Sequence, residues 1–204
     1  MTTRLVLASR NAHKIEEMAR ILAEAALPVE VVGIDAFEPG TIPEVAETEP
    51  TFEGNALLKA RAVSAATGLP AVSDDSGLCV DALNAMPGVL SARWSGGQGD
   101  EANLHLVLAQ LRDTPDERLG AHFRCAVALV LPDGREAVVH GEMRGHLVRA
   151  PRGAHGFGYD PIFVPEGATV TSAEMSAGEK DAVSHRGRAL RALVPVLHEM
   201  LPPG

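Results

Sequence analysis

The chain has 204 residues, 46% of them hydrophobic, enough to bury the core of one large domain or of two lobes that share it. Its 18 basic and 27 acidic residues leave a net charge of -9, which excludes a broad basic surface for gripping DNA or RNA and leaves room only for a local basic pocket. No run approaches the ~20 apolar residues of a membrane span, and the N-terminus lacks a long apolar segment with a cleavage site, so a cytoplasmic protein with no nucleic-acid and no membrane partner is expected.

Cys79 and Cys125 lie within apolar runs and read as small core residues of a reduced compartment. Leu5 to Ala8 predicts a buried strand. The polar stretch Ser9-Arg10-Asn11-Ala12-His13-Lys14 follows at once, then a helix with Ile15, Met18, Ala19 and Leu22 on one face. A helix start of this kind offers unpaired N–H groups and the positive end of the dipole to an anion such as phosphate. Lys14 in the first turn is badly placed for a cation unless an anion binds nearby. The plain alternative is a solvated lysine behind an ordinary Asn11 cap. The Walker pattern is missing.

Val29 to Gly33 reads as a second strand, and Ile34 to Pro50 as a long surface connection whose Glu44, Glu47 and Glu49 could return toward a metal. Thr51 caps the next helix, with Phe52, Ala56, Ala60 and Val63 as its apolar stripe. Glu53 and Asn55 are expected to be exposed, and Lys59 and Arg61 to lie off the stripe.

Ser73-Asp74-Asp75-Ser76-Gly77 comes next. These residue types dominate turns, so a solvated turn between two strands is the plain reading. On an extended segment adjacent carboxylates point to opposite faces, and only one would face a ligand. Asp100 to Arg112 predicts a helix burying Leu104, Val107, Leu108 and Leu111, with His105 at its surface.

His122 to Leu131 and Glu136 to Met143 are strand-like runs joined by Pro132-Asp133-Gly134-Arg135, a strong hairpin signal. Antiparallel pairing beside the strand and helix alternation of the first half predicts a mixed sheet. Gly153 to Pro165 gathers three glycines and three aromatics in a chain only 3% aromatic. Phe157 could stack on a base and Asp160 could accept from its edge; a glycine-rich turn with a core Phe is the alternative. Ser184 would cap the last helix, with His185 and Arg186 in its first turn and Pro195 kinking or shortening it. A bound polyanion would account for cations at two helix starts.

Ser9-x-Asn11-x-x-Lys14, Ser73-Asp74-Asp75-Ser76-Gly77, Pro87-Gly88, Phe157-Gly158-Tyr159-Asp160-Pro161 and Ser184-His185-Arg186-Gly187, in this order and spacing, resemble the inosine triphosphate pyrophosphatase family. The resemblance runs from about Leu5 to Leu190. Members of that family hydrolyse non-standard purine nucleoside triphosphates such as ITP, dITP and XTP to the monophosphate and pyrophosphate. The resemblance implies a single pyrophosphatase domain over residues 1–204, of α/β class: an elongated mixed sheet flanked by helices, in two lobes with the active-site cleft between them. It also implies a homodimer and a requirement for Mg²⁺.

Carried over by residue, the triphosphate turn falls on Ser9, Arg10, Asn11, Ala12, His13 and Lys14. The catalytic carboxylate and metal ligand falls on Asp75, a substrate contact on Ser76, and the base loop on Phe157, Gly158, Tyr159 and Asp160. Lys180 matches a further substrate lysine, and His185 and Arg186 the final substrate pair. Two departures stand out. Arg10 and His13 replace small residues of many relatives, and Ala46 falls near an acidic second metal ligand of some, leaving Glu44, Glu47 or Glu49 as substitutes, with Glu47 carried forward and Asp74 a further candidate that strand geometry disfavours as a partner of Asp75.

The implied chemistry is attack of water at the α-phosphorus, with Asp75 holding the metal or orienting the water and Lys14 and Lys180 holding the triphosphate. Arg186 and Asp160 would pair with O6 and N1–H of hypoxanthine or xanthine, a pattern that adenine reverses. A non-catalytic purine nucleotide sensor, and a pyrophosphatase for modified pyrimidine triphosphates, are the competing readings.

Overall fold

The computed structural model describes residues 2–201. The strands are β1 (Thr3–Leu7), β2 (Val29–Gly33), β3 (Ala71–Val80), β4 (Met86–Pro87), β5 (Gly120–Val130), β6 (Glu136–Leu147) and β7 (Phe163–Pro165). The helices are α1 (Ala12–Glu24), α2 (Phe52–Thr67), α3 (Asp100–Gln110), α4 (Ala177–Val183) and α5 (His185–Met200). No described helix is long and apolar enough to cross a membrane.

The strands follow the order β2-β1-β3-β5-β6-β7, with β4 on β3. β1 runs parallel to β2, with Leu5 opposite Val31, and parallel to β3, with Leu7 opposite Val72. β4 and β7 pair antiparallel with β3 and β6. The fold is therefore the expected mixed α/β type. The mixture has a local cause: β1, β2 and β3, separated by the helices α1 and α2, return parallel, whereas the short Leu131–Arg135 connection joins the neighbours β5 and β6 directly, closed by the Gly134 N–H to Leu131 carbonyl bond.

The chain divides into two compact units. The first holds the described residues up to Asp75, Cys125–Gly141 and the described residues from Gly187 on; the second holds Ser76–Arg124 and Glu142–Arg186. Leu5, Leu7, Met18, Leu22, Val72, Val127, Leu129, Leu190, Leu193 and Leu197 form the core of the first. Leu78, Val80, Leu104, Val107, Phe123, Met143, Ile162 and Phe163 form that of the second. Both cysteines are buried and free, as their apolar surroundings suggested, and burial pushes the Cys79 thiol up to about 11.

Several local readings change. Ser73 to Gly77 is no turn: it lies inside the ten-residue strand β3. Its small residues serve packing, because a Cβ on Gly77 would lie 2.3 Å from the Gly88 carbonyl oxygen and 2.4 Å from Ser91 Oγ. Ala19 is exposed, and Ile21 takes its place in the α1 stripe. Pro195 does not shorten α5, which runs through it to Met200. Pro195 is on the exposed side of the helix, where water can satisfy the carbonyl that its missing N–H leaves over. The separate helix α4 was not foreseen, although Ser176 and Glu179 form a complete capping box at its start.

Candidate active site

In the first unit, β3 supplies two buried carboxylates, and each has its own partner. Lys14, reaching from the first turn of α1, donates to both oxygens of Asp74 at 3.0 and 2.9 Å. Lys14 is therefore not the solvated lysine of the plain reading, since the adjacent strand provides a counter-charge. Asp74, only 7% exposed, is thereby a structural acid as well as a neighbour of Asp75.

Asp75 stands differently. Asn55 Nδ2 donates to its Oδ2 at 3.1 Å, and Lys59 Nζ is 3.8 Å from its Oδ1. The same ammonium donates to Glu47 Oε1 at 2.7 Å and to the Asp74 carbonyl at 2.9 Å. Burial pushes the Asp75 carboxyl up to about 6; Lys59 and the Asn55 bond pull against that rise, and the negative charges of Glu47 and Asp74 add to it. A carboxyl held half-ready to ionise near neutrality in this way suits proton transfer.

Glu47 is thus the loop acid that comes to Asp75, while Glu44 is exposed and Glu49 contributes its backbone N–H to Asn55 Oδ1 at 2.9 Å. Among the described residues there is no group of three or more His, Cys, Asp or Glu that could hold a metal. Asp75 and Glu47 nevertheless fit Mg²⁺: the ion prefers oxygen donors and is commonly bound through one or two carboxylates, with water and substrate phosphates completing its shell. Burial does most to raise the Asp75 carboxyl, with Glu47 and Asp74 adding to it, and a cation beside it would favour the ionised form.

Asn55 and Lys59 were missed. Asn55, expected to be exposed, is completely buried. The signal was present: the two residues are four apart on α2 and each directly precedes a member of the apolar stripe, so both share its inward side. The turn Ser9 to Ala12 opens α1, with the Asn11 N–H on Ser9 Oγ at 3.1 Å and the Asn11 carbonyl accepting from Lys14 and Ile15. Arg10, Asn11 and Ala12 are exposed there. The side chain of His13 lies outside the described residues.

In the second unit Ser76 continues β3, partly buried. The aromatic loop is built around Asp160. The Phe157 N–H donates to Asp160 Oδ2 at 2.9 Å, Lys180 Nζ donates to the same oxygen at 2.5 Å, and the Gly158 N–H reaches Asp100 at 2.9 Å. A Cβ on Gly156, at φ +77°, would lie 2.2 Å from that carboxylate oxygen, so only glycine fits. Asp160 is 4% exposed, and its carboxylate ties this loop to Lys180.

Tyr159 is buried in the second core, with its hydroxyl donating to the Ser91 carbonyl at 2.9 Å, and so anchors the loop from below. Phe157 is 62% exposed, which removes the core alternative and leaves its face available beside Lys180 Nζ, 5.4 Å from the ring centre. His185 stacks on Phe123 at 4.9 Å, and Arg186 is partly buried in the first turn of α5.

A mixed α/β sheet with a buried carboxylate flanked by a lysine, an asparagine and a loop glutamate is the frame of a hydrolytic site. Residues 5–196 match the model of the Ham1 family, and the chain belongs to that family. It is 62% identical over 200 residues to a protein of Streptomyces coelicolor named dITP/XTP pyrophosphatase, covering 98% of this chain and 99% of the relative.

Among solved structures, it resembles a nucleoside-triphosphatase / dITP/XTP pyrophosphatase from Mycobacterium abscessus at 55% identity and a TM-score of 0.79, over 96% of this chain and 100% of the other. A HAM1 protein from Coxiella burnetii matches at 40% identity and a TM-score of 0.88, over 97% and 99%.

Proposed function

We propose that this chain hydrolyses non-standard purine nucleoside triphosphates, dITP, XTP and ITP, to the monophosphate and pyrophosphate, and so removes them from the nucleotide pool. The observation that carries the reading is the buried Asp75 carboxyl, raised to about 6 and set against Lys59, Asn55 and Glu47. The names of the relatives from Streptomyces coelicolor and Mycobacterium abscessus support the choice of substrate.

In this mechanism Asp75 orients the attacking water and takes its proton as the new bond forms at the α-phosphorus and pyrophosphate leaves. Asp75 and Glu47 would hold Mg²⁺, which would supply positive charge to the phosphate oxygens. Lys59 keeps the two acids together, and Lys14, anchored on Asp74, brings fixed positive charge beside the Ser9 to Ala12 turn, whose exposed backbone receives phosphate. Ser76 contacts the substrate beside Asp75. Phe157 stacks on the base, Gly158, Tyr159 and Asp160 fix the loop that carries it, and Lys180, His185 and Arg186 complete the contacts. Adenine lacks the O6 acceptor that Arg186 meets in hypoxanthine or xanthine. The reaction is assigned to one catalytic domain, acting as a homodimer in the cytoplasm.

The test is pyrophosphate release from dITP, XTP, ITP, dGTP, dATP and dUTP with Mg²⁺. Turnover of the first three far above the rest supports the reading; tight nucleotide binding without turnover, or a preference for the pyrimidine, removes it.

A further inference from the structure

One side chain in the first unit touches both Asp75 and the backbone of the loop that carries Glu47, and has been given no role in the chemistry. We propose that Asn55 is a positioning residue that aims Asp75 and delivers Glu47 to it; the inference rests on the reading of Asp75 as the metal- and water-binding carboxylate. The Asn55 side chain is completely buried and bonded at both ends, with Oδ1 accepting from the Glu49 N–H at 2.9 Å and Nδ2 donating to Asp75 Oδ2 at 3.1 Å. Its orientation is forced, because a backbone N–H can only donate and an ionised carboxylate can only accept.

Two consequences follow from that single amide. It holds Asp75 by Oδ2, so that Oδ1 is the oxygen turned to Lys59. It also pins the loop two residues beyond Glu47, whose own carboxylate meets the same lysine at 2.7 Å. Gly54 makes the pinning possible, since a Cβ there would stand 2.6 Å from Glu49 Cβ and push the loop off the helix.

No other side chain of this size does both jobs. Aspartate would set a second carboxylate against Asp75, and leucine would leave the Glu49 N–H and the Asp75 oxygen without their partner. Outer-shell groups that orient metal ligands typically change metal affinity or activity by about 10- to 100-fold when removed.

The experiment compares the wild type with Asn55→Ala in three measurements: Mn²⁺ binding to the protein alone by electron paramagnetic resonance, kcat and KM for dITP, and thermal unfolding. The expected result is a folded variant whose Mn²⁺ affinity and kcat each fall by about 10- to 100-fold while KM stays within about threefold. A loss of stability alone would leave both ratios near one, so a folded variant with Mn²⁺ affinity and kcat within about twofold of wild type overturns the proposal. If Asn55→Ala does not fold, the side-chain amide resonance of Asn55 in the wild type decides. It should shift in step with a Mg²⁺ titration, and a resonance indifferent to the metal overturns the role. A wild type that binds Mn²⁺ yet releases no pyrophosphate overturns the proposed function alone, and one that binds no Mn²⁺ overturns both.

Discussion

Replacing Asp75 by asparagine is expected to abolish turnover and, at neutral pH, to make the protein more stable. Burial raises the carboxyl from 3.8 to about 6, so between those values the folded protein binds more protons than the unfolded chain. Stability therefore falls as pH rises through that window, and above it the ionised Asp75 carries its full penalty. At 1.36 kcal/mol per pH unit the rise corresponds to about 3 kcal/mol, an upper figure because an asparagine amide beside Lys59 recovers less than the carboxylate does.

For a chain of this size that is on the order of 6–12 °C in Tm. The assay is thermal unfolding of both proteins in EDTA from pH 4 to pH 8, with pyrophosphate release measured in parallel. Asp75→Asn should match the wild type near pH 4 and draw ahead as the pH rises. A variant equally or less stable at pH 8 would refute the account of Asp75 as a strained, buried acid. Residual turnover near the wild-type rate would refute its catalytic role.

Lys59→Met removes the cation shared by Glu47 and Asp75, and kcat should fall by about 100-fold or more in steady-state assays. Because Lys59 also holds the Asp75 carboxyl down, the acid limb of the pH–rate profile should move to higher pH. Gly156→Ala forces a Cβ against Asp160 and a strained φ, so KM for dITP should rise by about tenfold while kcat changes less. Tyr159→Phe gives up the bond to the Ser91 carbonyl and should lower stability by about 1–2 kcal/mol in urea titrations, with kcat preserved.

The elements were largely legible because each has a local signature: the period of α2 and α3, the Asp133-Gly134 turn, the Thr51 cap. The Asp pair was not legible in the same way. Asp, Ser and Gly favour turns through their own backbone preferences, and what holds them in a strand comes from far along the chain: Lys14 across 60 residues, Asn55 across 20. Asp160 shows the converse. Its type suggested a ligand contact, and only the fold reveals that Lys180 is within reach of its buried carboxylate. Asn55 fell between categories, since a polar residue one step before an apolar stripe is assigned to the surface by pattern and to the interior by geometry.

The composition of the first core has a consequence for synthesis. Its interior packs Leu5, Leu7 and Met18 with Leu190, Leu193 and Leu197, so β1, the first of the described strands to be made, is closed over by α5, the last of the described helices. Domains that fold from local contacts can mature as they emerge, but this one must wait for α5. Stalled nascent chains lacking α5 should accordingly stay protease-sensitive throughout β1, α1 and β3, the elements that carry Lys14 and Asp75. Helix α5 thereby sets the earliest moment at which a ribosome can release an active site.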